Sequence, residues 1–422
     1  MSIHVIGVIG LVIAFVIGTI RPINLGTLGF VLTFLVGAFV VGETPREMYA
    51  GFPVDLFILL VGVTYLFGVA DANGTVARVV EGSARLVRRR RALIPWMVFG
   101  VAAAPAMAGA LGSTGVALLA PLSMRLAERC DIDRRMMGLM VIHGAAAGNF
   151  SPLNVLGALV HQAVTSRGLQ LSVGALFAAN LAYNLVLAAV IFLVFGGRRL
   201  LSAGTIVPAS MAQRDRDTAE GQPLRVEHVC TLSSLAVVAV AALGFGLPIG
   251  FVALTAGAVL QLLFPASSAG AEKRIAWGVV ILVCGIVTYI AALQRYGTVG
   301  AVGSAIATVG SPMTAALLLC AVGAVTSAFA SSAAILGAII PLASPLLLGG
   351  EVAVTGFVIA LSLSATVVDA APFSTVGALV VANARDDERT MVYRGLLAWG
   401  AVMVVTAPIV TWALFVLGRT GS

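Results

Sequence analysis

Charge is scarce in this chain of 422 residues: 10% are Asp, Glu, Lys or Arg, while 60% are hydrophobic. So little charge cannot clothe a soluble surface. The apolar residues fall in runs of about twenty, the length of helix that crosses a hydrocarbon core of about 30 Å. The short alternating segments of a membrane β-barrel are missing, which excludes that architecture. Cysteine is rare and irregularly spaced: Cys130, Cys230, Cys284 and Cys320 form no CxxC and no framework, so neither a metal centre nor disulfides are indicated. There is no GxSG nucleophile with a placed histidine, no HExxH pair and no pair of intramembrane carboxylates, which argues for a protein that is not an enzyme. The net charge of +7 sits in loops between apolar runs, so it signals topology and no nucleic-acid partner. The first run, 3–20, lacks a basic leader and a small-residue cleavage site, and is expected to span the bilayer.

What is present predicts an all-α membrane protein of about ten transmembrane helices. The expected spans are 3–20, 23–42, 54–72, 136–162, 174–196, 229–247, 249–266, 275–294, 352–382 and 395–418. Two further apolar stretches, 93–128 and 312–347, are too long for one helix and carry Gly/Ser/Thr clusters at their middles, so they read as re-entrant hairpins. Non-helical backbone at membrane depth needs protein or an aqueous cavity to satisfy it, so such tips predict a cavity. With this topology 21 of the 25 basic residues lie on one side, leaving only Arg46, Arg167, Arg295 and Arg419 on the other. The positive-inside rule makes the first side cytoplasmic, and the chain is expected in a bacterial cytoplasmic (inner) membrane.

The halves resemble each other at matched places. VTY at 63–65 recurs at 287–289, GTV at 74–76 at 297–299, and GALV at 157–160 at 377–380, while Pro152 matches Pro372 and the tip Ser113, Thr114 is aligned with Ser331, Ser332. Five spans and a hairpin per half make the second copy run upside down. The expected domains are a first inverted repeat, 1–196, a cytoplasmic linker, 197–228, and a second inverted repeat, 229–422. The stretches 74–90 and 296–310 read as arms leading to the hairpins. Inverted repeats place their sites where discontinuous helices of the two halves face each other.

Two unwound helices are expected, 136–162 around GNFSP (Gly148–Pro152) and 352–382 around VVDAAPFST, which ends at Thr375. A helix that stops inside the membrane leaves N–H and C=O groups unpaired. Carbonyls and hydroxyls then suit a hard cation and half-helix N-termini suit an anion. Candidate substrate-binding residues are Ser113, Thr114, Asn149, Ser151, Ser331, Ser332, Ser374 and Thr375, and candidate Na+ ligands are Ser113, Asn149, Ser332 and Asp369. The plainer reading of each hydroxyl is a bond to its own preceding turn. Asp369 is the acidic residue deep within an apolar span, costly unless paired, and so a Na+ ligand or proton carrier by default. Its repeat counterpart is Asn149. His143, on the same broken helix as Asn149, is a second polar contact or a buried helix–helix contact. No Lys or Arg lies mid-span, so an anion would be neutralised by bound cations and helix dipoles.

GFPVDLFILLVGVTYLF at 51–67, the GST tip and HGAAAGNFSPLNVLG at 143–157 resemble the dicarboxylate carrier family of malonate permeases, in the ion transporter superfamily with the divalent-anion sodium symporters. In those symporters each tip carries Ser-Asn-Thr. Here Ser113 and Thr114 are adjacent, and Ser331, Ser332 are followed by Ala333. The resemblance implies a homodimer that moves its substrate by an elevator motion, with scaffold helices 3–42 and 229–266. The expected function is cation-coupled import of a small dicarboxylate such as malonate or a C4-diacid, with Na+ as the coupling ion and H+ as the other candidate. The alternatives are a Na+/H+-type antiporter and a carrier of another organic anion.

Overall fold

The computed structural model describes residues 2–21, 23–76, 78, 91–202, 225–245, 247–301, 311–328 and 331–419. Among them all regular structure is helical. The first half contains α1 (Ile3–Ile20), α2 (Leu25–Val36, ending in a π-turn over Gly37–Val41), α3 (Pro45–Tyr49), α4 (Val54–Ala72), α5 (Ile94–Met107), α6 (Gly112–Arg129), α7 (Arg134–Gly148), α8 (Val155–Thr165) and α9 (Val173–Val194). After α10 (Gly197–Ser202) the second half contains α11 (Val226–Phe245), α12 (Ile249–Leu263), α13 (Trp277–Arg295), α14 (Pro312–Ser327), α15 (Ser332–Leu342), α16 (Ser344–Leu348), α17 (Val354–Val367), α18 (Thr375–Ala382) and α19 (Arg389–Phe415). Most of the expected linker lies outside the described residues, as do most of both arms and Ala330 of the second tip.

Five described stretches are long and apolar enough to cross a bilayer: Val54–Ala72, Val173–Val194, Trp277–Arg295, Val354–Ala382 with its interruption, and Arg389–Phe415. The other apolar helices are shorter. Interruptions shorten them where capping residues or prolines stop the backbone ladder: Asn24 caps α2, Asn154 caps α8 and Ser374 caps α18.

Two helices form the buried axes. Every residue from Met136 to Gly148 in α7 is buried, and so is every one from Gly356 to Val367 in α17. A helix enclosed on all sides presents no solvated polar face, and the polar side chains within these stretches, His143 in α7 and Ser362, Ser364 and Thr366 in α17, are themselves buried. α7 is wrapped by α5, α6 and α9, and α17 by α14, α15 and α19. The halves also interlock: α6 of the first packs on α18 of the second, while α15 of the second packs on α8 of the first.

Outside these bundles, α2 crosses α13 and α12 crosses α4 through glycines. A Cβ added at Gly29 would lie 2.6 Å from Gly285 O, and one at Gly250 would lie 2.7 Å from Ile58 O. Close backbone approach through small residues is how helices associate where lipid removes the hydrophobic drive. Each crossing is closed by an ion pair at one end: Arg295 with Glu43 at 2.9 Å, and Arg274 with Asp71. Across the arginine-rich face, Arg134 pairs with Glu388 at 2.9 Å and Arg385 with Glu128 at 2.5 Å, each joining the two halves.

Candidate functional site

The first interruption follows Gly148, where a Cβ would lie 2.6 Å from Met107 N and 2.7 Å from Ala103 O, so only glycine lets α7 end against α5. Phe150 then takes φ +62°, a conformation that bulky residues rarely adopt, with its ring fully buried. Ser151 Oγ donates to Met107 O (2.6 Å), and Asn154 Nδ2 donates to Ala106 O (2.8 Å) and Ala110 O (3.1 Å). These bonds satisfy carbonyls at the end of α5 and in the turn before α6, tying the hairpin tip to the interruption. Asn154 Oδ1 meanwhile accepts from Leu156 N (2.9 Å) and starts α8.

At the hairpin tip, α6 begins at Gly112, and a Cβ there would lie 3.5 Å from Asn149 Oδ1. The Asn149 amide has no hydrogen-bond partner among the described residues, and neither have the hydroxyls of Ser113 (half-buried) and Thr114 (exposed). Three polar side chains that bond nothing among the described residues therefore lie around the N-terminal end of α6.

The second interruption comprises a 3-10 turn, Val368–Ala370, and a restart at Thr375. Ser374 Oγ accepts from Gly377 N (2.9 Å) and donates to Asp369 O. The Asp369 carboxyl meets Ser332 Oγ at 2.9 and 2.8 Å, and Ser332 Oγ lies 2.9 Å from Ser327 Oγ and 3.2 Å from Ala365 O. Ser327 closes α14 and Ser332 opens α15, so the Ser332 hydroxyl joins the two ends of the second hairpin and ties them to this carboxyl. No Lys, Arg or His among the described residues pairs with it. Ser331 and Thr375 are exposed, with hydroxyls that bond nothing among the described residues.

Of the residues expected from sequence, the structure thus joins Ser332 to Asp369 directly and brings the N-terminus of α6 to Asn149. Ser151 and Ser374 direct their hydroxyls at backbone carbonyls. The tips align differently from the sequence pairing of Ser113, Thr114 with Ser331, Ser332. Gly112 is the first residue of α6 as Ser332 is of α15, and each faces its interruption's Asn149 or Asp369, both pairs 220 residues apart.

His143 is fully buried between the halves. Trp399 Nε1 donates to its Nε2 (3.0 Å), so that nitrogen carries the lone pair and Nδ1 the proton, which goes to Asn184 Oδ1 (3.0 Å). Asn184 Nδ2 reaches Asn180 Oδ1 (3.0 Å), and Asn180 Nδ2 reaches the carbonyls of Ala146 (2.9 Å), Ala147 (3.1 Å) and Asn149 (3.4 Å). No motif singled out Asn154, Asn180, Asn184 or Trp399. The available signal was the pair Asn180 and Asn184, four residues apart on one face of an apolar span.

The groups gathered at Ser332 Oγ are all oxygens, the Asp369 carboxyl, the Ser327 hydroxyl and the Ala365 carbonyl, a set suited to a hard cation. Among the described residues no three His, Cys, Asp or Glu side chains cluster as they would for a transition metal. A cleft of about 620 Å³ opens between α4, α12 and α8, lined by Asp55, Pro152, Gly157, His161, Gln162 and Gly250, and so reaches the first interruption.

Residues 1–149 match the family described as the dicarboxylate carrier protein MatC N-terminus. The fold is similar to that of MtrF of Neisseria gonorrhoeae, described in connection with a class of antimetabolite efflux pumps, at 14% identity and a TM-score of 0.58 over 99% of this chain and 95% of that one. It is similar as well to the YdaH transporter of Alcanivorax borkumensis, at 14% identity and a TM-score of 0.58 over 89% of this chain and 87% of that one. No curated protein matches the chain.

Proposed function

We propose that the protein is a secondary transporter importing a small dicarboxylate, such as malonate or a C4-diacid, coupled to Na+, a reading supported by the match of residues 1–149 to the dicarboxylate carrier protein MatC N-terminus. The observation that carries this reading is the chemical contrast between two interrupted helices that approach each other. One offers an amide, two hydroxyls and a helix N-terminus without a carboxylate; the other offers a carboxyl without a cationic partner. An anion suits the first and a cation the second.

The halves are inverted repeats of five spans and one re-entrant hairpin in this reading. Mirrored crossings support it: Gly26 meets Gly285, and Gly250, 224 residues further on, meets Gly62. Helices α1, α2, α11 and α12 form the scaffold, two copies of which associate as a homodimer in the elevator scheme that the family resemblance implies. The cleft beside Gln162 lies on the side away from the arginine-rich loops, as the entrance of an outward-facing carrier in a bacterial inner membrane does. Substrate enters there, meets Asn149, Ser113 and Thr114, and the cation at Asp369 and Ser332 offsets its charge.

The test is uptake of labelled malonate into proteoliposomes with and without an inward Na+ gradient, with a competition panel of C3 to C6 acids. Uptake that requires Na+ and is competed by diacids is expected; gradient-independent or absent uptake sinks the reading. The Asp369 carboxyl, which has no cationic partner among the described residues, also favours a second reading, a Na+/H+ antiporter, which would move protons against Na+ with no diacid present.

A further inference from the structure

The two interruptions differ in one buried residue that touches neither proposed ligand. The last carbonyls of a helix have no partner within it and carry the negative end of its dipole. At the end of α7 those carbonyls converge on one amide: Asn180 Nδ2 reaches Ala146 O, Ala147 O and Asn149 O at 2.9, 3.1 and 3.4 Å. Asn180 is fully buried, and its own oxygen is held by Asn184, which His143 and Trp399 hold in turn. Among the described residues the second half has no such amide. The residue 220 positions on is Gly400 in α19, where a Cβ would lie 2.9 Å from Ala371 Cβ, so the backbone of the second interruption fills the place of the Asn180 side chain.

Resting on the transporter reading above, we propose that Asn180 is a positioning residue that assigns the two ligands to their places. By occupying the carbonyls at the end of α7 it removes cation ligands and negative potential from beside Asn149, reserving the first interruption for the anion. The cation is confined to the second interruption, where the Ala365 carbonyl and the Asp369 carboxyl share the single hydroxyl of Ser332 and no amide occupies them among the described residues. The chain Asn184, His143, Trp399 ties this arrangement to α19 of the other half.

The experiment is labelled malonate uptake by the full chain in proteoliposomes, comparing wild type with Asn180→Leu. The malonate KM rises about tenfold, the worth of one to two hydrogen bonds, while the maximal rate and the half-saturating Na+ concentration stay within twofold. An unchanged KM overturns the proposal, and so does an equal shift in the Na+ requirement, which a general loosening of the fold would produce. Should Asn180→Leu elute as aggregate, the near-isosteric Asn180→Asp, which has no amide donor, carries the same expectation. Absence of Na+-dependent malonate uptake in the wild type is a different outcome: it removes the functional reading itself, and this inference with it.

Discussion

Replacing Asp369 by Asn keeps the size of the side chain and removes only its charge and one oxygen. An amide of the same size can still bond Ser332 Oγ, which lies 2.8 to 2.9 Å from the Asp369 carboxyl oxygens, and the backbone carbonyl of residue 369 still accepts from Ser374, so the turn should be retained. What is lost is the ionic part of the interaction with a bound cation. Hydrogen bonds to charged groups are worth about 1.5–3 kcal/mol, and taking that range for the lost ionic part, at about 1.4 kcal/mol per decade the half-saturating Na+ concentration should rise roughly 10- to 150-fold. At saturating Na+ the malonate KM should change little, because Asn149 and the α6 tip are untouched. The assay is uptake at fixed malonate over a Na+ titration, with thermal unfolding in detergent as the control. The variant should be at least as heat-resistant as wild type, since a carboxyl at membrane depth is costly. An unchanged Na+ titration in a monodisperse variant would refute the assignment of Asp369 to the cation.

Further outcomes follow from the same geometry. Asn149→Leu removes an amide without a protein partner, so the malonate KM should rise at least fivefold, about 1 kcal/mol, with no loss of thermal stability; a fall in stability without a KM change would make Asn149 a packing residue. Gly250→Val places a side chain against the backbone of α4, 2.7 Å from Ile58 O at the Cβ alone, and overpacking of about 1–3 kcal/mol should lower the midpoint of thermal unfolding measurably. Gln162→Cys, on the cleft beside α8, should react with an impermeant maleimide added outside intact cells, and malonate should slow the reaction; labelling from the inside alone would invert the proposed orientation.

The interruptions were legible because small and polar residues stand out within apolar runs. GNFSP and VVDAAPFST recur at one offset, and a carboxylate inside such a run announces itself by its cost. Asn149 and Asp369 could therefore be paired on sequence alone. The hairpin tips could not be placed to the residue, since Gly112, Ser113 and Thr114 are all acceptable helix starters and only packing selects which one meets Asn149. Asn180 escaped notice for a similar reason. Its partners are backbone carbonyls 31 to 34 residues away, and a carbonyl leaves no mark in a sequence.

Composition and the length of the apolar runs determined by themselves that this chain is helical and built for lipid, because the bilayer sets the span and forbids unpaired backbone whatever the neighbours are. Which polar groups are left without a partner was decided only by tertiary structure. Ser151 and Ser374 have the same chemistry as Ser113 and Ser331, yet the first two bond carbonyls and the others bond nothing among the described residues. For Ser374 the accepting carbonyl lies five residues back in the same turn, but for Ser151 it lies 44 residues away at the end of α5, and no local pattern encodes that meeting.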